Sequence, residues 1–172
     1  MDLSAFYSLL AGTSFTLVGL WWVVVQHRPA WKADADRRRL AGGTYVSFLL
    51  PGLMATLAQI DPATPMLWRV SFGACAAVGL WSTWGLLRRD RVSKHVGPFR
   101  RFRWVVGLLY FIILVLGVAP ELARAAGLTP LAVGSVLLVL LVVLAHGLTW
   151  EFLMEPELPS TANESPRGLP DA

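Results

Sequence analysis

Five long apolar runs organise this chain, and none of them alternates between polar and apolar positions. The first is LSAFYSLLAGTSFTLVGLWWVVVQ (3–26), the second AGGTYVSFLLPGLMATLAQI (41–60) and the third MLWRVSFGACAAVGLWSTWGLL (66–87). The fourth opens at 104 with WVVGLLYFIILVLGVAP, its helix expected to run to 124, and the fifth is PLAVGSVLLVLLVVLAHGLTWEFL (130–153). A helix needs about 20 mostly apolar residues to cross a bilayer core. Inside lipid, only helices and closed barrels satisfy their own backbone, and barrel strands are shorter and alternate. The pattern therefore predicts an all-α, polytopic membrane helical bundle of five transmembrane helices over 1–155. A polar, Pro-, Ser- and Glu-rich tail over 156–172 is expected to be disordered. Run one has no Lys or Arg and is too long for a signal-peptide core, so it is expected to be a retained span.

Charge sharpens this picture. Only 15% of residues are charged, where a soluble domain carries about 25%. Five of the fifteen Lys/Arg fall at Arg28, Lys32, Arg37, Arg38 and Arg39, and seven more at Arg88, Arg89, Arg91, Lys94, Arg100, Arg101 and Arg103. The connections thus alternate between basic and nearly uncharged. Cytoplasmic loops carry the excess of Lys/Arg, so the expected topology has the N-terminus outside and the C-terminus cytoplasmic, in a bacterial-type inner membrane. Trp21, Trp22, Trp81, Trp84, Trp104 and Trp150 would then lie near the cytoplasmic surface, where tryptophan is enriched. The strip from Arg88 to Arg103 reads as a topology anchor that also attracts anionic lipid head groups. A nucleic-acid reading is not favoured, because the strip has no reading fold and is tethered to a membrane.

Helical phase at about 100° per residue puts Ser8, Gly12, Thr16 and Gly19 on one stripe of the first run. Ser71, Cys75, Gly79 and Thr83 recur every four residues in the third. Small residues at this spacing let membrane helices approach closely. Both stripes are expected to face inward, either packing against helices or lining a path. In the fifth run, Ser135, His146 and Thr149 share a face with Val142 that is also expected to point inward. Pro51 and Gly52 interrupt the second run, as a fixed kink or as a hinge.

Few residues offer chemistry. Asp61, Arg69, Glu121 and Arg124 form an expected outer ionisable cluster, read either as structural ion pairs of Arg69 or as a selector for charged solutes. His146 is a candidate proton sensor. The three histidines match no ligand spacing, so no metal and no cofactor is expected. The one cysteine, Cys75, permits no intrachain disulfide. There is no GxSxG, HExxH or GxxxxGK[ST] signature, so no catalytic residue is assigned and the protein is not expected to be an enzyme. Two readings remain. One is a structural or accessory subunit, homo-oligomeric or bound to a partner membrane subunit, that packs through its small-residue faces. The other is an oligomeric channel or transporter for a small ion or solute.

Overall fold

The computed structural model describes residues 2–60, 64–89 and 103–154, and among these every regular element is helical. The order is α1 (Leu3–Gln26), α2 (Pro29–Ala33), α3 (Ala35–Ile60), α4 (Pro65–Arg89), α5 (Arg103–Val118), α6 (Glu121–Ala125) and α7 (Pro130–Met154). Three of them, α1, α3 and α7, are long and apolar enough to cross a membrane, and Trp104–Val118 is apolar but shorter. Long apolar helices of this kind fit a membrane protein. The remaining long helix, α4, is diluted by Arg69, Arg88 and Arg89 and by its hydroxyl and glycine residues. The turn expected at Asp61-Pro62 and the tail over 156–172 lie outside the described residues.

Two boundaries differ from the reading of the sequence. The first basic connection is not a loop. Pro29 opens a short helix at a position that needs no N–H, and α3 already begins at Ala35. Asp34 starts α3 by accepting the backbone N–H of Asp36 at 2.8 Å and of Arg37 at 3.2 Å. Those two bonds, led by the one from Arg37, hold its carboxyl below the usual carboxylate range. The fourth run is also not one helix to 124. It stops at Val118, because Pro120 lacks an N–H and its ring crowds the preceding turn. The short α6 then closes at Gly127, whose φ of 74° lets Leu128 N–H reach Ala123 O and Gly127 N–H reach Arg124 O.

Side-chain contacts fix the helix directions. Trp21 Nε1 donates to Ala41 O at 2.9 Å, and Ser8 Oγ donates to Gln59 Oε1, so α1 and α3 are antiparallel. Tyr7 OH donates to Leu131 O at 2.7 Å near the start of α7, while Trp21 meets Phe152 near its end, ring centroids 6.0 Å apart. Helices α1 and α7 are therefore parallel. A Cβ at Gly134 would meet Phe72 of α4, Tyr7 of α1 and Leu116 of α5 within 4 Å. Gly79 against Tyr110 and Gly117 against Arg69 O make α4 and α5 antiparallel, and the Gly134 junction brings the first turns of α4 and α7 to the last turn of α5. The end of α4 and the start of α5 consequently lie at the same end of the bundle as α2 and the end of α7.

The core is apolar and filled. Phe72, Met54, Ile113 and Leu138 are fully buried at its centre. Pro51 is buried inside an uninterrupted α3. Beside it, a Cβ on Gly52 would lie 3.0 Å from Ser14 Cβ, which marks a close approach of α1 and α3.

Candidate functional site

The two small-residue stripes separate in the structure. On α4, the stripe is a packing face against α5. Ser71 is buried, Cys75 and Thr83 are half-buried, and a Cβ on Gly79 would lie 2.5 Å from the Tyr110 ring. Gly107 faces Thr83, and a Cβ on Gly117 would lie 3.1 Å from the backbone oxygen of Arg69. Glycine is required at Gly79 and Gly117 because two helix surfaces meet there with no room for a side chain.

On α1, the expected inward stripe points outward. Ser8, Gly12, Thr16 and Gly19 are all exposed, and a Cβ on Gly12 or Gly19 would meet nothing within 4 Å. The buried face is instead Tyr7, Leu10, Ala11, Ser14 and Trp21. Bulk decides this: Tyr7 and Trp21 fill space and bond across to α7 and α3, which small residues cannot do. Ser8 alone of the stripe reaches another helix, through Gln59.

The hydroxyls along these faces are largely satisfied by their own helices. Thr16 Oγ1 donates to Gly12 O at 2.8 Å, Ser71 Oγ to Leu67 O at 2.7 Å and Thr83 Oγ1 to Gly79 O at 2.8 Å. Such back-bonding engages the hydroxyl proton within its own helix and leaves the oxygen as an acceptor. Ser14 differs: its Oγ is buried without a partner beside the Gly52 contact. Among the described residues, Ser14 and Ser71 are the fully buried polar side chains, while Thr44, Ser47, Thr56 and Gln59 of α3 are half-buried.

The outer ionisable cluster is rearranged. Arg69 Nε donates to Gly117 O at 2.9 Å and its Nη2 to Val118 O at 2.8 Å. The guanidinium caps α5 where its last carbonyls lack intrahelical partners and the helix dipole is negative. This replaces the expected ion pair with Glu121, which instead lies 3.8 Å from Arg124, both well exposed. Asp61 lies outside the described residues. An exposed pair of that kind contributes about 0–1 kcal/mol, so Glu121→Gln is expected to leave unfolding within about 0.5 kcal/mol of the parent in a denaturant titration.

Of the basic strip, Arg88 sits over the Trp84 ring at 5.0 Å. For Arg89 and Arg103 only the backbone is described, ending α4 and opening α5, and Arg91, Lys94, Arg100 and Arg101 lie outside the described residues. In α7, Val142 is buried, Ser135 and Thr149 are half-buried, and His146 is exposed with its ring turned toward α3. Its Nδ1 lies 2.8 Å from Val142 O and its ring packs edge-on against Phe48. Among the described residues no three His, Cys, Asp or Glu side chains converge.

One cluster went unread in the sequence. Trp21 and Trp31 are buried inside the protein, and Trp31 packs at a tilt against Phe152 with centroids 4.5 Å apart. Helix α2 thus plugs the basic end of the bundle. The signal was Pro29 and Trp31 standing in an otherwise charged segment. Trp21→Phe loses the bond to Ala41 O and leaves a cavity against Trp31 and Phe152, with an expected cost of about 1–3 kcal/mol in the same titration. By contrast Trp22, Trp81, Trp84, Trp104 and Trp150 are exposed.

Compared with family models, curated proteins and solved structures, the chain finds no match.

Proposed function

We propose that this protein is a multi-pass structural or accessory subunit of a bacterial-type plasma membrane, without enzymatic activity, that grips another transmembrane helix through the outward face of α1. One observation carries the reading: Gly12, Thr16 and Gly19 lie exposed on α1 with open space over both glycines, while the equivalent stripe on α4 is used up by α5. A groove of this kind facing lipid brings no gain unless a helix enters it. The partner is a second copy or a different membrane subunit.

The five-span topology, with the N-terminus outside, draws support from the alternating helix directions. These bring the ends of both basic connections, Arg28–Arg39 and Arg88–Arg103, to one end of the bundle, as the excess of positive charge on the cytoplasmic side requires. The exposed tryptophans at that end fit the interface. In a Cys75→Ser background, Ala35→Cys and Gly97→Cys are expected to be labelled from the same side of sealed vesicles. Labelling from opposite sides rejects the topology.

The channel reading is weaker because the described interior is filled by Phe72, Met54, Ile113 and Leu138. Native mass spectrometry from membranes is expected to show the wild type with a second polypeptide, and Gly12→Leu with Gly19→Leu to release it. Ion flux from the purified protein in liposomes, abolished by the same substitutions, would instead favour permeation.

A further inference from the structure

We infer that the cleft between α1, α2 and α3 is a binding site for one anionic phospholipid, its acyl chain in an aromatic groove and its phosphate on Lys32 and Arg38. The groove encloses about 240 Å³ and is walled by Trp21, Trp22, Val25, Trp31 and Tyr45. Its lining is almost wholly apolar, as a hydrocarbon chain needs and a soluble anion does not. Gly42 lies on the wall with nothing within 4 Å of its Cβ position, so the absent side chain leaves the groove open.

The rim carries the opposite character. Lys32 and Arg38 both line the groove and are exposed, and Arg38 Nη1 donates to the backbone Lys32 O at 3.1 Å, which places the guanidinium at the Lys32 main chain on the rim. The nearby acids are engaged elsewhere: Asp34 accepts backbone N–H groups at the start of α3, and Asp36 pairs with Arg39 at 3.3 Å. Trp31 contributes its ring to the apolar wall of the same groove, next to Lys32. Bidentate and point-charge donors together suit a phosphate.

This site is distinct from the Arg88–Arg103 strip, where attraction needs only charge. It rests on the membrane reading, which carbonate extraction checks separately: the full chain must stay in the membrane pellet. The test is native mass spectrometry of the detergent-purified full chain titrated with phosphatidylglycerol and, in parallel, phosphatidylcholine. Wild type is expected to hold one phosphatidylglycerol at least ten times more tightly than phosphatidylcholine. Lys32→Gln is expected to weaken phosphatidylglycerol about 5-fold, the worth of one interfacial cation, and to leave phosphatidylcholine unchanged. Gly42→Leu, which adds bulk to the groove wall where a Cβ meets nothing within 4 Å, is expected to abolish the tight phosphatidylglycerol site. Equal binding of the two lipids by wild type, or undiminished phosphatidylglycerol binding by Gly42→Leu in protein still retained in the pellet, overturns the proposal. So does loss of the tight site on Arg100→Gln with Arg101→Gln and not on Lys32→Gln.

Discussion

Replacing Arg69 by methionine is expected to destabilise the bundle by about 2–3 kcal/mol in a denaturant titration from mixed micelles. Methionine keeps most of the length and the apolar stem, so the loss isolates the two bonds to Gly117 O and Val118 O. A hydrogen bond from a charged donor contributes about 1.5–3 kcal/mol. Polar contacts between membrane helices run weaker, near 0.6 kcal/mol on average, and the outer of the two bonds is exposed, which together set the lower part of the summed range. Arg69→Lys is expected to recover part of the loss, since an ammonium reaches a carbonyl without spanning both. Matching losses in Arg69→Met and Glu121→Gln would restore the ion-pair reading, and a parent-like Arg69→Met would remove the cap.

The second large effect lies at the α4–α5 contact. Gly79→Leu is expected to cost about 3 kcal/mol, the upper end for overpacking, because even its Cβ would sit 2.5 Å from the buried Tyr110 ring. Either the ring leaves its place or the helices spread, and spreading pulls Gly117 off the Arg69 backbone. Gly12→Leu adds the same side chain in open space and is expected to change unfolding by under about 0.5 kcal/mol. Equal costs at the two positions would mean that the inward and outward stripes are misassigned.

The difference between those glycines shows what the sequence reveals and what it hides. Each apolar run coincides with a helix in the described residues, three of them long and apolar enough to cross a membrane and the fourth run giving a shorter one, because length and composition need no knowledge of neighbours. Phase is harder. In water, apolar residues mark the inward face, but in lipid both faces are apolar, so periodicity carries little information about which side packs. The stripes from Ser8 to Gly19 and from Ser71 to Thr83 look alike in the sequence, and only the pairing of Gly79 with Tyr110, and of Tyr7 with Leu131, separates them. Arg69 was visible as a cost to be offset, but its partners are backbone carbonyls that bear no residue signature. The hint was Pro120, which ends α5 and leaves those carbonyls bare. The Trp31 plug was legible in principle, since an aromatic residue after Pro29 in a charged segment has little reason to be there unless it is buried.

The most direct test of the central claim is photo-crosslinking from α1 in native membranes. Benzophenone side chains placed at Gly12 or Thr16, and as a control at exposed Val143 of α7, are irradiated and the products sized. Crosslinks to a polypeptide from positions 12 and 16, with lipid adducts alone from 143, are the predicted result. Lipid adducts alone from 12 and 16 would contradict the account, because the outward face of α1 would then have nothing to hold.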